Sequence, residues 1–243
     1  MQTPSVVPMN LLDRLALLTT LDAAAVAFLF LCWLTIGWWI EREDAARPSV
    51  SVLMTQYRSD WMREMVTRDS RIFDAQLLAS LRQGTAFFAS TCVLAIGGAL
   101  ALIGNAEQLL GVAEEFSLAA VPALIWQVKL SLAALLLISA FLRFVWSNRL
   151  FAYCAVLMGA VPNDPTHPDA LPRAAQAAEL NSRAAANFNR GLRSMYFSLA
   201  SLAWVFGPLA LFGATVTTLW VLWSHEFRSR PHAVLTSPPG AKP

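Results

Sequence analysis

The stretch that decides the fold is Trp126–Trp146, WQVKLSLAALLLISAFLRFVW. Its only charged residues, Lys129 and Arg143, each lie one turn from an end. Twenty helical steps cover about 30 Å, the thickness of a bilayer's hydrocarbon core. Tryptophan favours both membrane interfaces. The stretch therefore reads as a membrane-crossing helix with a tryptophan at each edge. Lys129 would lie just inside one edge and Arg143 just inside the other, both able to snorkel.

The rest of the chain agrees. Its 243 residues are 56% hydrophobic and only 14% charged, too apolar to cover a water-exposed surface. Three further segments are long enough to cross a bilayer. With Ile125–Trp146, the expected spans are about Ala23–Ile40, Thr85–Gly104 and Tyr196–Trp223. The last is long, and Gly207-Pro208 near its middle supplies a kink. The expected class is an all-α, polytopic membrane protein. Its single membrane domain covers 21–223, between an N-terminal segment (1–20) and a disordered tail (224–243).

Arginine sets the orientation. Seven arginines lie between Glu41 and Gly84 and five between Ser147 and Met195, but none between Thr85 and Val128. Lys/Arg-rich loops stay in the cytoplasm. Segments 41–84 and 147–195 are thus expected inside, and the loop bearing Glu107, Glu114 and Glu115 outside. An even number of spans then puts both termini outside the cell membrane (the inner membrane in a Gram-negative cell). Arg228, Arg230 and Lys242 in the tail oppose this arrangement.

Both inner segments read as helical. Met54, Tyr57 or Arg58, Trp61 and Met65 recur at helical spacing. A second pattern, Arg71–Leu81, leads towards the second span. Leu150–Val161 is apolar but too short to cross again, so headgroups or the other inner helices must cover it. Pro172 suits the first turn of a helix through Ala174, Ala175, Ala177 and Ala178.

Several residues are candidates for function. Lys129 is an ionisable residue inside a span, which points to a pathway unless it anchors the edge. Asp22 is placed to cap the first span or, as the alternative, to pair with Lys129. Arg82, Arg190 and Arg193, with Asn187 and Asn189, stand at the inner ends of the second and fourth spans. There they would anchor headgroups and pair with Asp69 and Asp74, or grip a lipid phosphate or anionic ligand. Gly97, Gly98, Gly207 and Pro208 are candidate packing or hinge positions, and the pairs Ala95/Ala99 and Gly97/Ala101 permit close helix approach. Leu81-Arg82 and Leu192-Arg193 precede similar stretches, which reads as chance similarity of two amphipathic helix entries or, alternatively, as a duplicated hairpin.

No span holds a histidine, so bis-histidine haem inside the membrane is excluded. The sequence has no P-loop, GxSxG, HExxH or dinucleotide fingerprint. No cofactor, metal site or catalytic residue is expected, and a net charge of +2 gives no reason to expect nucleic acid. Cys32, Cys92 and Cys154 read as packing residues.

The stretch Asn187-Phe-Asn-Arg-Gly-Leu-Arg193, followed by Tyr196-Phe-Ser198 and Trp204-Val-Phe-Gly-Pro208, resembles the C-terminal signature of a family of bacterial and plant membrane proteins, domain of unknown function 599. Gln76–Gln83 is similar to that family's approach to its second span, and Lys129 with the run up to Arg149 to its third. The resemblance covers roughly 21–223. It implies a multi-span membrane protein and no particular activity. On the residues alone, the leading function is a non-catalytic scaffold, assembly factor or accessory subunit, whose partners are membrane lipids and either other membrane subunits or copies of itself. The alternative is a small oligomeric transporter or channel using Lys129 and the Gly207-Pro208 kink.

Overall fold

The computed structural model describes residues 18–43, 46–106 and 122–237. The acidic loop from Glu107 onward, Arg14 and Lys242 lie outside these residues. Among the described residues the chain is helical throughout, with no strand. The helices are α1 (Thr20–Ile40), α2 (Val50–Met65), α3 (Ile72–Gly104), α4 (Ala123–Ala160), α5 (Ala170–Leu202), a 3-10 turn (Ala203–Phe206), α6 (Pro208–Phe227) and α7 (Arg230–Thr236). Three of these, α1, α3 and α4, are long and apolar enough to cross a membrane.

Helix α1 starts at a capping box. Thr19 is the N-cap, its hydroxyl accepting from the Asp22 N–H at 3.2 Å, while Asp22 accepts from the Thr19 N–H at 3.0 Å. Asp22 thus serves the helix start as the capping-box partner in the first turn, not as the cap. Ala25, Leu29, Cys32, Ile36 and Ile40 form one buried stripe at helical spacing.

Helices α3 and α4, of 33 and 38 residues, would be about 50 and 57 Å long at 1.5 Å per residue. Both outrun a bilayer. The surplus of α4 is the apolar run from Leu150, which continues the third span without a break. Leu150, Phe151, Cys154, Met158 and Val161 are buried against Met62 and Met65 of α2 and the alanines of α5. The other helices, then, provide the cover this run requires. On α2, Met62, Met65 and the half-buried Arg58 face inward, while Tyr57 is 50% exposed.

Helix directions follow from pairs of contacts. In α1 and α5, Trp33 donates to Ser194 at 3.1 Å, and Asp22 lies beside Trp204 just beyond α5, so the two run antiparallel. In α4 and α5, Ser147 donates to the Ala184 carbonyl (2.7 Å) and Ser198 to the Ala133 carbonyl (2.9 Å). In α3 and α4, Gln127 donates to the Ile103 carbonyl at 3.2 Å, and Arg82 reaches Asn148 at the other end. The bundle therefore has an arginine end and an opposite end, where Asp22, Gln127 and Trp204 lie.

One expectation fails here. Tyr196–Trp223 is not a single kinked span. Helix α5 tightens into the 3-10 turn at Ala203–Phe206, and Gly207 adopts φ 115°, ψ 171°. That backbone conformation is essentially restricted to glycine. Pro208 then opens α6 at a position that needs no N–H. The chain reverses there. Phe28 stacks on Phe212 (4.5 Å) and Trp39 meets Phe227 (6.1 Å), so α6 runs parallel to α1, back to the arginine end. There Glu226 accepts from the Ser51 N–H and hydroxyl at 3.0 and 2.8 Å. Leu18, before α1, and Ser237, after α7, consequently lie at opposite ends of the bundle. Nor is the tail disordered throughout: Arg230–Thr236 is helical, capped by Ser229, and His232 meets the Pro48 carbonyl at 3.1 Å.

The alternative of a duplicated hairpin also loses support. Gly97 and Gly98 lie inside the continuous helix α3, exposed and with nothing within 4 Å of an added Cβ. Gly207 is a reversal point, so the two glycine positions are not equivalent. Among the described residues, Gly97 and Gly98 bring no other helix close.

Candidate functional site

The joint between the arginine end and the bundle gathers the charged groups. Glu41 is the C-cap of α1. Arg190 and Arg193, one turn apart on α5, both pair with it, and the Arg190 Nε lies 2.9 and 3.0 Å from its two oxygens. Arg193 is buried, and its guanidinium packs beside Gly37, where an added Cβ would make an ordinary contact at 3.6 Å. Burial opposes ionisation of Glu41, but the Arg190 hydrogen bond and the charges of both arginines outweigh it and hold the carboxyl below its usual range.

Beside this pair is a cavity of about 550 Å³ between α1, α2, α5 and α6. Its charged lining is balanced: Glu41, Glu43, Glu179 and Glu226 face Arg58, Arg183, Arg190 and Arg193. Most of these groups already have partners. Glu179 pairs with Arg183 at 2.6 Å, Glu226 holds the start of α2, and Asn189 donates to Ser51 at 3.2 Å. Arg58 donates to the fully buried Asn181, whose amide also meets the Cys154 thiol. Burial lowers the Arg58 pKa and pushes the Cys154 thiol up to about 11. Cys154 donates to the Ala177 carbonyl at 3.3 Å, in keeping with a packing role.

Only part of the expected cluster forms. Arg190, Arg193 and Asn189 come together. Asn187 turns back to the Arg183 carbonyl (2.9 Å). Arg82 is exposed on the far side of α4, at 3.4 Å from Asn148. Asp74 pairs with none of these arginines. It is fully buried and takes Arg68 and the Trp61 indole (2.7 Å), leaving one oxygen without a partner. The carboxylate that answers Arg190 and Arg193 is Glu41, which the sequence reading passed over. It is the first charged residue after the first apolar run, the position most exposed to an α5 arginine across an antiparallel contact.

At the opposite end, Lys129 sits over the Trp204 ring, 5.8 Å from its centroid, a cation–π distance. The Trp204 indole donates to Asp22 at 2.6 Å. Lys129 and Asp22 form no ion pair with each other; Trp204 lies between them. The three residues tie α4, the reversal turn and the start of α1 together. Gly207 and Pro208 lie just beyond. Among the described residues, no group of three or more His, Cys, Asp or Glu side chains could hold a metal ion.

A family model described as Protein of unknown function, DUF599, matches residues 24–231. No curated protein and no solved structure matches the chain.

Proposed function

Since the chain belongs to the DUF599 family, we propose that it is an integral membrane protein of five passes that serves as a non-catalytic scaffold or accessory subunit. The passes are α1, α3, α4, the second half of α5 and α6. The arginine end faces the cytoplasm under the positive-inside rule. Five passes place the C-terminal side at that end, so Arg228 and Arg230, which oppose a four-span arrangement, obey the rule. Leu18 then lies on the outer side.

One observation carries the scaffold reading. The charged groups of the arginine end are spent on joints between helices: Glu41 with Arg190 and Arg193, Glu226 with Ser51, Asp74 with Arg68 and Trp61. A reaction centre needs such groups to converge on a substrate instead. Purification in a mild detergent tests this reading. It predicts a stoichiometric membrane partner. A clean, isolated oligomer would count against it.

The cavity of about 550 Å³ favours a second reading, as a small oligomeric transporter or channel. Lys129 and Gly207, the expected pathway residues, belong to the clamp at the other end, so that route requires the clamp to open. Substrate-dependent flux in proteoliposomes that Lys129→Ala abolishes, with expression intact, would favour transport. Unchanged flux would remove Lys129 from the pathway.

A further inference from the structure

Arg143 has no use in the joints described above. It is half-buried on α4 and, among the described residues, makes no hydrogen bond or ion pair. It nevertheless lines a cleft of about 300 Å³ together with Arg190, Arg193 and Glu41, walled by Trp38 and floored at Gly37. Clefts of this size hold small ligands. Three guanidiniums against one carboxylate leave an excess of two positive charges in the cleft. A desolvated cation beside like charges is costly. A bound anion would remove that cost.

The surroundings choose among anions. Arg143 also lines an open, mostly apolar groove along α4 with Leu135, Ile138, Leu142 and Trp146, where Ser139 and Asn187 of α5 are the polar neighbours. Leu135 and Leu142 are 61% and 59% exposed. Successive side chains one turn apart carry this groove from Arg143 towards the opposite end, inside the stretch that reads as spanning. Trp38 and Trp146, 70% and 48% exposed, mark the headgroup level at its mouth. A cationic cleft at headgroup depth that continues into an apolar groove has the shape of an amphiphile. A free phosphate would use only the first part.

We propose that Arg143, with Arg190 and Arg193, binds the phosphate of an anionic phospholipid whose acyl chain lies along Leu142, Ile138 and Leu135. Guanidinium is the side chain suited to phosphate. Glu41 keeps Arg190 and Arg193 in place, and Arg143 supplies the contact that nothing else in the chain claims. The site is independent of the scaffold reading, since a lipid can be held whether or not a protein partner is.

Native mass spectrometry of the full-length protein in mild detergent tests this, with phosphatidylglycerol and phosphatidylcholine added in equal amounts. The wild type should retain phosphatidylglycerol about tenfold better, the factor that corresponds to roughly 1.4 kcal/mol. Arg143→Gln should bring retention down to the phosphatidylcholine level, whereas Arg63→Gln, exposed on α2 beside Asp60 and outside the cleft, should change nothing. Millimolar inorganic phosphate should not displace the lipid. Equal retention of the two lipids by the wild type, an arm that needs no variant, would overturn the proposal. So would undiminished retention by Arg143→Gln. Displacement by inorganic phosphate would make the ligand a free anion and overturn the assignment to lipid.

Discussion

The indole of Trp204 donates to Asp22 at 2.6 Å across 182 positions of sequence. This contact fastens the reversal turn after α5 to the first turn of α1. The same carboxylate accepts from the Thr19 N–H and hydroxyl, so one residue completes the capping box and joins the helix to the turn. Trp204→Phe keeps the packing and removes the donor. The expected cost is about 1–2 kcal/mol, at the upper end for hydrogen bonds between membrane helices. A lower melting temperature in detergent than wild type would show it. An unchanged one would mean the contact contributes nothing.

Gly207 and Gly97 make a matched test of the reversal. Gly207 has φ 115°, where any side chain is strained, so Gly207→Ala should cost roughly 1–3 kcal/mol. Gly97 is within α3 and has nothing near an added Cβ. Gly97→Ala should be neutral or slightly stabilising, by up to about 1 kcal/mol. Thermal unfolding of both in the same detergent decides it. Equal effects would mean that the two glycines are equivalent pivots, as a duplicated hairpin requires.

Glu41 is the counter-ion of a buried arginine. Glu41→Gln leaves Arg193 without its charge partner, and the expected loss is roughly 2–4 kcal/mol. The pH dependence has a defined sign. Because the folded pKa of Glu41 lies below its ordinary value of 4.5, its contribution is present above that value. It is lost as pH falls through the lower folded value. Melting curves from pH 6 to pH 3 should therefore fall more steeply for wild type than for Glu41→Gln. Parallel curves would contradict the pairing.

Cys154 gives the opposite sign. Its thiol is raised from 9.0 to about 11 by burial, so the folded chain keeps a proton that the unfolded chain releases. Stability should fall as pH rises from about 9 to about 11, by at most roughly 2–3 kcal/mol. Cys154→Ala should flatten that slope, whatever its effect at pH 7. The native thiol should also resist iodoacetamide at pH 8 until the protein is unfolded. Rapid labelling of the folded protein would contradict the buried, protonated thiol.

Much of the fold was legible because its signals are local. Apolar length gave α1, α3 and α4, and helical spacing gave α2. The unsolvable exposure of Leu150–Val161 already required the cover that Met62, Met65 and the α5 alanines supply. The reversal at Gly207 was not legible, because a Gly-Pro pair in an apolar run signals a break without its angle. A kink and a turn differ only in the backbone of one residue and in long-range contacts such as Phe28 with Phe212. The site was half legible for the same reason. Arg190 and Arg193 stand out in sequence, but their partner Glu41 is 149 and 152 positions away. Arg82, which follows a leucine as Arg193 does, is on another face of the bundle.

The central claim is that the chain turns back at Gly207 and crosses five times, and single-cysteine labelling tests it most directly. With Cys32, Cys92 and Cys154 replaced, cysteines at Leu18, Asp169 and Ser237 are probed in intact cells with a membrane-impermeant maleimide. The account predicts labelling at Leu18 only, with Asp169 and Ser237 protected until the membrane is opened. Labelling of Ser237 together with Leu18, while Asp169 stays protected, would contradict it and restore four spans with both termini outside.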